Sequence, residues 1–325
     1  MLETLVVIPN WNGRHLLARC LGALAAQTYR DFAVVIVDNG STDGSVEYVA
    51  AHFPDVLVIA NAENRGFAVA TNQGIRALES RYVATLNNDT EVDPGWLAAL
   101  MAAMESASDV GMCASKMLFA DRPKMINSTG ICVDRAGIAW DCRGGEPDDP
   151  DEIEPVEVFG PCAGAALYRR SMLDAVGLFD EAFFLYMEDV DLAWRARAAG
   201  WRCLHVPAAR VIHHHSATSG EGSPLKSFHL GRNKVWLLLK NYPARALWHH
   251  IPLVVVYDMA AVLFALAARR DVHALRGRLA GFAGAVRMLR KRQALASRPD
   301  AIYLSSLVWP WKVTGRYRHL RLPSQ

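Results

Sequence analysis

The sequence predicts an α/β protein in which a Rossmann-like, mostly parallel sheet is flanked by helices. Four short apolar runs rich in β-branched residues occur near the N-terminus, at 5–8, 32–37, 56–59 and 82–86. Each run ends in a polar turn and is followed by a stretch whose apolar residues recur at helical spacing. Units in which a strand alternates with a helix form parallel sheets, because the helix returns the chain to the edge where the next strand begins.

The first two units each place polar groups after a strand. Pro9 and Asn10 follow the first run, and a helix with apolar residues at 16, 17, 20, 21 and 24 comes next. The second run leads into a glycine-containing turn that begins at Asp38, whose carboxylate can accept hydrogen bonds from a base or a ribose hydroxyl. Three further polar residues of this turn, at 41–43, are expected to cap the next helix rather than to contact a ligand.

The third unit contains the loop 61–66, in which Asn64, Arg65 and Gly66 precede a predicted helix over 67–78. A glycine allows a backbone to approach a ligand closely, and a guanidinium can pair with a phosphate, although a solvated surface arginine explains the sequence equally well. GxGxxG does not follow the first strand and GxxxxGK[ST] does not occur. Dinucleotide-cofactor and P-loop chemistry are therefore disfavoured.

The fourth run ends at Asn87, Asn88 and Asp89, before a predicted helix over 96–104. Carboxylate and amide oxygens suit Mg²⁺ or Mn²⁺, which bind one or two carboxylates together with a phosphate. An asparagine-rich turn that caps a helix is the alternative. Ligands of open α/β sheets bind at the carboxyl ends of the strands, which is where these residues are expected to lie.

The middle of the chain holds a second acidic cluster. Residues 117–140 and the acidic stretch 145–157 are expected to form an irregular, partly solvated insertion, with order returning at 158–168. Glu188 and Asp189 start a predicted helix, whose dipole alone would favour acids there. Because four apolar or aromatic residues precede them, one carboxylate is expected to be partly desolvated and to serve as a general base. A last strand over 204–212 leads to three histidines, of which at most one is expected to bind a metal.

Composition limits the classes of function. Lys and Arg number 35 and Asp and Glu 33, so the formal net charge of +2 does not indicate nucleic-acid binding. The six cysteines show no CxxC spacing and fit a reduced chain better than a disulfide framework. No basic stretch precedes the first strand, so we expect no signal peptide and a cytoplasmic location.

Taken together, the motifs resemble those of the family 2 inverting glycosyltransferases, particularly the bacterial rhamnosyltransferase-like and galactofuranosyltransferase-like members. Each motif is weak alone, but their order and spacing over about residues 4–240 are specific. The motifs are VVIPNWNG (6–13), VIVDNGSTDGS (35–45), ENRGFAVATNQGI (63–75), LNNDTEVDPGW (86–96), GLFDEAFFLYMEDVDLAWRARAAGW (177–201), VPAARVIHHHSATSG (206–220) and GRNK (231–234).

The resemblance implies a GT-A fold and a nucleotide-diphosphate sugar donor, with dTDP-rhamnose or a UDP-sugar favoured. Asp89 would bind Mg²⁺ or Mn²⁺ with His213 as a further ligand, and Asp189 would be the catalytic base beside Glu188. Asn87 stands where many members carry the first acid of Asp-x-Asp, so metal binding would depend on a single carboxylate. The residues that would line the nucleotide-sugar site are Pro9, Asn10, Asp38, Asn64, Arg65, Gly66 and Asn88.

The C-terminal part, residues 241–325, is predicted to be a basic amphipathic helical region that follows a catalytic domain at 1–240. Residues 247–268 are about long enough to cross a bilayer, but histidines, Pro252 and Asp258 interrupt them. Interfacial helices or a buried helical pair are expected rather than a spanning helix. The basic residues that follow favour the inner, anionic face of a membrane, and hence a peripheral location and a glycolipid or polysaccharide acceptor.

Two rival functions remain from the sequence. A non-catalytic carbohydrate-binding or membrane-interaction protein could keep the fold, but the acidic residues and His213 argue against it. A sugar nucleotidyltransferase shares the layered fold and the use of a metal. It would need a glycine-rich loop with Arg or Lys after the first strand, and PNWNGRHLL matches this poorly.

Overall fold

The computed structural model describes residues 2–214, 223–293 and Leu307. Within these ranges ten strands form one mixed sheet and two others form a separate hairpin. The strands are β1 (Leu2–Asn10), β2 (Phe32–Asp38), β3 (Leu57–Ala60), β4 (Ser80–Leu86), β5 (Thr90–Val92), β6 (Val110–Phe119), β7 (Ile126–Ser128), β8 (Ile131–Val133), β9 (Ala139–Asp141), β10 (Val156–Val158), β11 (Ala165–Arg169) and β12 (Arg202–His213). The helices are α1 (Arg14–Ala25), α2 (Ser45–His52), α3 (Phe67–Ala77), α4 (Trp96–Glu105), α5 (Arg170–Val176), α6 (Glu188–Ala198), α7 (Pro224–Asn241), α8 (Ala244–Arg269), α9 (His273–Ala283) and α10 (Ala285–Gln293).

The main sheet has the strand order β10-β12-β6-β11-β4-β1-β2-β3, with β5 beside β12 and β7 beside β6. β1 is parallel to both β2 and β4, and β2 is parallel to β3. β11 runs antiparallel between β4 and β6. The four strand-and-helix units of the sequence therefore form the parallel half, as predicted, and the carboxyl ends of β1, β2 and β4 meet at one edge.

Helices cover both faces of the sheet, which explains why its strands are continuous apolar runs. Alternate side chains of β1 point to opposite faces, so Val7 joins the core formed with α3, α5 and α6, and Val6 joins the core formed with α1 and α4. A fully buried tryptophan lies in each core, Trp194 in the first and Trp96 in the second.

The segment between α4 and β11 is more ordered than the predicted irregular insertion. β6 is buried between β11 and β12, and β7 and β10 extend the same sheet. Its acidic residues pair with cations: the Nζ of Lys116, a residue that is 1% exposed, lies 3.0 Å from Asp148 and 3.2 Å from Glu152. A buried ammonium group needs such partners, so Asp148 and Glu152 anchor the acidic stretch to the sheet. Most other residues of 145–157 are exposed, in agreement with the predicted partial solvation.

The cysteine prediction is wrong for one pair. Cys132 and Cys142 form a disulfide that joins the two ends of the β8–β9 hairpin. The other cysteines, all within the described ranges, are free thiols: Cys20, Cys113, Cys162 and Cys203.

The C-terminal prediction is revised as well. Residues 247–268 belong to the single 26-residue helix α8 rather than to a helical pair, and Pro252 lies inside the helix without ending it. Within the described part of the chain, α8 is the one helix long and apolar enough to cross a membrane, judged by length and composition. The basic tail at 294–306 and 308–325 lies outside the described residues, as do residues 215–220 of the histidine motif.

Candidate active site

Three predicted donor-site residues form a connected chain at the carboxyl edge of the parallel strands. The Asn10 side-chain amide donates to Asp38 Oδ2 at 2.8 Å, and the Asn88 amide donates to Asn10 Oδ1 at 2.7 Å. Asp38 Oδ1 also accepts from the backbone N–H of Ser41 at 2.8 Å. All three donor-site side chains are nearly buried, so the network fixes their orientation. Pro9, half-buried, precedes Asn10 at the end of β1.

The predicted helix caps after β2 are only partly present. Asp43 accepts hydrogen bonds from the backbone N–H of Ser45, at the start of α2, and from that of Arg14, at the start of α1. The Ser41 hydroxyl instead accepts from the backbone N–H of Asn12. The turn therefore ties the first two strand-and-helix units together.

The glycine of the loop before α3 has a packing role that the sequence did not indicate. Gly66 has φ +84°, and a Cβ there would lie 2.5 Å from the ring of Phe184. The missing side chain therefore admits Phe184, whose carbonyl accepts hydrogen bonds from the first residues of α3. Asn64 accepts from the Gly66 N–H at 2.9 Å, and Arg65 is exposed beside it.

Asp89 and His213 meet where the β4–β5 turn approaches the end of β12. The Asp89 Oδ1 and His213 Nε2 atoms are 3.3 Å apart, and both residues are less than a tenth exposed. The other ring nitrogen, Nδ1, lies 2.8 Å from the Asn127 side-chain oxygen. A histidine that binds a metal through Nε2 carries its proton on Nδ1, and the Asn127 oxygen is positioned to accept a hydrogen bond from that N–H.

This pair fits a divalent cation that completes its coordination with phosphate oxygens and water. No cluster of three or more His, Cys, Asp or Glu residues suited to a metal occurs in the described residues. Asn127 was not predicted, because nothing in the sequence links residue 127 to residue 213. The adjacent His214 contacts Glu91 at 2.6 Å, and His215 lies outside the described residues.

The predicted acidic turn does begin a helix, and its acids have different surroundings. Asp189, half-buried, accepts hydrogen bonds from the backbone N–H of Val190 at 2.8 Å and of Ala163 at 3.2 Å. Burial raises the pKa of Asp189 to about 6, although these two backbone bonds oppose the shift. Glu188 is 5% exposed, and burial together with the neighbouring Asp189 raises its pKa well above the usual range.

The comparisons with known proteins decide the family. The family model described as "Glycosyl transferase family 2" matches residues 5–177, which is more than half of the chain. This chain belongs to glycosyltransferase family 2. Membership excludes the rival reading of a sugar nucleotidyltransferase.

Two relatives of this family 2 glycosyltransferase have names that state an activity or a biosynthetic role. The N-acetylglucosaminyl-diphospho-decaprenol L-rhamnosyltransferase of Mycobacterium tuberculosis is 32% identical over 237 residues, which cover 64% of this chain and 74% of the relative. The O-antigen biosynthesis protein RfbC of Myxococcus xanthus is 27% identical over 226 residues, 66% of this chain and 17% of that protein.

The solved structures support the GT-A fold. The crystal structure of GalNAc-T7 with UDP, GalNAc and Mn²⁺ superposes with a TM-score of 0.61 at 20% identity, covering 75% of this chain and 49% of that one. At this identity the likeness establishes the fold alone.

The glycosyltransferase holds the loop before Asp189 in an unusual backbone conformation. Phe184, Tyr186 and Met187 have φ values of 66°, 68° and 68°, in the left-handed region that residues other than glycine rarely adopt. The Asn233 side-chain amide donates to the carbonyls of Phe183, Leu185 and Tyr186 at 3.1, 3.0 and 2.7 Å. Asn233 is fully buried on α7. It belongs to the GRNK motif, but the sequence alone does not indicate this role.

A buried cluster of charged residues connects α6, the helix that begins at Glu188, to α7. Asp191 is fully buried and contacts Lys240 at 2.7 Å and Arg195 at 2.9 Å. Burial opposes ionisation of Asp191, but the two cations outweigh it and lower its pKa. Lys240 also bonds to Asp180 at 2.8 Å. Two residues of α7 therefore hold the start of α6: Asn233 binds the loop before the helix, and Lys240 binds Asp191 in its first turn.

Proposed function

We propose that this glycosyltransferase transfers a sugar, with inversion, from a nucleotide-diphosphate donor to a lipid-linked or polysaccharide acceptor in cell-surface glycan synthesis. The donor class favoured is dTDP-rhamnose or a UDP-sugar. The rhamnosyltransferase name of the mycobacterial relative and the O-antigen name of the Myxococcus relative support this choice. We further propose a cytoplasmic, peripheral location, with 1–240 as the catalytic domain and 241–325 as the membrane-associating region.

One observation carries the proposal. A single loop lies between the Asp89–His213 pair and Asp189: the backbone N–H of Asn87 donates to Gly164 O at 2.8 Å, and the N–H of Ala163 donates to Asp189. A candidate metal pair and a carboxylate of raised pKa therefore flank the same short segment. In a single displacement the leaving group and the base lie on opposite sides of the sugar, and the contacts of both groups with one segment support their assignment to one site.

The residues are assigned as follows. Asp38 and Asn10 would bind the base and ribose, and Pro9, Asn64, Arg65, Gly66 and Asn88 would line the rest of the donor site. Asp89 and His213 would hold Mg²⁺ or Mn²⁺, which neutralises the charge that develops on a leaving diphosphate. Asp189 would take the proton of the acceptor hydroxyl while the oxygen forms its bond to the anomeric carbon and the bond from that carbon to the diphosphate breaks. Glu188 would act through the positioning of the acceptor or through the start of α6.

A donor panel tests the proposal. We expect one of dTDP-rhamnose, UDP-galactofuranose, UDP-glucose and GDP-mannose to raise the melting temperature in the presence of Mn²⁺, and the same donor to be consumed with a polyprenyl-diphosphate-sugar acceptor. Asp89→Ala should remove the metal-dependent part of both effects, because Asn87 offers no second carboxylate. Full activity in excess chelator would overturn the metal assignment.

A further inference from the structure

We propose that α8, α9 and α10 form a lipid-docking surface on which α8 lies in the plane of an anionic membrane and does not cross it. The inference deepens the proposed function, on which it rests for the lipid-linked acceptor. It concerns residues 244–293, which include none of the residues assigned to sugar transfer.

One narrow stripe of α8 contacts the protein, and the rest of the helix is largely exposed. Leu247 and Val254 contact the core shared with α6 and α7, and His250 Nδ1 lies 2.6 Å from the Tyr242 hydroxyl. Val262 and Ala265, near the other end, are buried. With Asp258 between Val254 and Val262, these positions recur every three or four residues, so they form one stripe of the helix. A spanning helix would instead be surrounded by lipid at its middle.

The charged residue of this stripe is neutralised by the protein. Asp258 is the one acid in the sequence of α8. Its carboxylate lies 3.0 Å from Lys234 Nζ of α7 and accepts two bonds from the Arg278 guanidinium of α9, at 2.7 and 2.9 Å. The ion pairs therefore fasten the middle of α8 to two other helices, and Asp258 faces away from any surrounding lipid.

The packing of α9 indicates on which side of a membrane each end of α8 would lie. A Cβ at Gly277 would lie 2.1 Å from the Phe228 carbonyl, and Trp236 Nε1 donates to Gly281 O at 2.9 Å, so α9 is in close contact with α7. Asn233 and Lys240 join α7 to the catalytic helix. If α8 crossed a bilayer, α9 would be on the opposite side from α7. Both ends of α8 must therefore lie on the side of the catalytic domain.

The outer face of the three helices is apolar. Trp248, Val256 and Leu263 of α8 are 76%, 63% and 58% exposed, and exposed apolar residues continue along the other two helices. The exposed basic residues of the same region are Arg245, Arg269, Arg270, Arg276, Arg287 and Arg290. The described part of this region has no exposed acid, since Asp258 and Asp271 are both half-buried. Apolar side chains surrounded by arginines suit an anionic lipid surface better than a second copy of this equally basic face.

Vesicle binding tests the outer face. We expect the full chain to co-sediment with phosphatidylcholine vesicles that contain phosphatidylglycerol, and more weakly in high salt. Trp248→Gln/Val256→Gln/Leu263→Gln should bind at least tenfold more weakly but keep its turnover on a water-soluble acceptor. A control that removes three exposed apolar residues elsewhere, Leu57→Gln/Ile153→Gln/Val156→Gln, should bind like the wild type. Unchanged binding of the α8 variant, or a solution dimer that this variant dissociates without any vesicle binding, would overturn the proposal.

Topology tests the in-plane orientation. With an epitope tag after Gln325, protease should remove the tag in everted membrane vesicles and leave it intact in spheroplasts, as for the catalytic domain. Cleavage in spheroplasts alone would show that α8 crosses the membrane and would overturn the proposal. Vesicle binding without sugar transfer would instead refute the proposed function and leave the docking surface standing.

Discussion

Replacing Asn233 with alanine tests how the loop before Asp189 is held. The side-chain amide has two N–H groups, which are shared among three carbonyls. A net value of about 0.5–1.5 kcal/mol for each donor gives a loss of roughly 1–3 kcal/mol. This loss is comparable with the roughly 1–3 kcal/mol cost of holding each of the three residues at positive φ. The loop should therefore relax, and the start of α6 should shift with it.

The assay separates turnover from binding and from stability. A shift of about 1 Å at a catalytic group can lower turnover by about 100-fold. We expect Asn233→Ala to approach that loss in kcat and to weaken donor binding much less, because Asn10 and Asp38 end β1 and β2 and Asn88 lies in the β4–β5 turn. The measurements are kcat, the donor Kd by calorimetry, and the melting temperature.

A matched control is available in α3. Asn72 is also a buried helical asparagine, and its amide donates to the carbonyl of Phe179 at 2.8 Å, before the strained loop. Asn72→Ala should lower the melting temperature to a similar extent while leaving most of the turnover. If the two variants lost stability equally and both kept near-native kcat, Asn233 would have no role in positioning Asp189 and our reasoning would be refuted.

Three further predictions concern charge and metal binding. Because burial raises the pKa of Asp189 to about 6 and only the ionised form accepts a proton, kcat/KM should rise as the pH increases through about 6 and then level off; an acid limb that persists in Asp189→Asn would contradict this. Lys240→Met removes the cation shared by Asp180 and Asp191, which keep Lys291 and Arg195 as partners, and should cost about 3 kcal/mol in urea unfolding. Arg81→Met, at an exposed ion pair, should cost less than about 1 kcal/mol. Asn127→Ala should weaken Mn²⁺ binding in the presence of a nucleoside diphosphate about 10- to 100-fold, as titration calorimetry would measure, and an unchanged affinity would exclude a role for Asn127 in orienting His213.

The parallel half of the fold could be predicted because its signals are local. Val6, Val7 and Ile8 belong to a short continuous apolar run that is typical of a strand covered on both faces, and the polar residues that follow mark the edge where ligands bind. The ordered middle segment could not be predicted in this way. Lys116 is separated from Asp148 by 32 residues, and in the sequence alone the acids after residue 145 resemble a solvated loop.

The same limit applies to the supports of the site. Asp89, His213 and Asp189 carry distinctive chemistry and occur in recognisable motifs. Asn127 and Asn233 are ordinary asparagines whose roles depend on contacts with distant parts of the chain. The partner of Asn127 is 86 positions away, and the carbonyls that Asn233 binds are about 50 positions away. The Cys132–Cys142 disulfide likewise depends on the β8–β9 hairpin, which the spacing of the cysteines does not predict.

The central claim is that Asp189 accepts the proton from the acceptor during sugar transfer. Asp189→Asn keeps the size of the side chain and removes the proton acceptor, so single-turnover rates should fall by roughly 10²–10⁴-fold while donor affinity stays nearly native. Glu188→Gln is the matched control and should have a milder effect through the geometry of the turn. Near-native turnover by Asp189→Asn together with a large loss in Glu188→Gln would reverse the two roles, and normal turnover by both variants would contradict the mechanism.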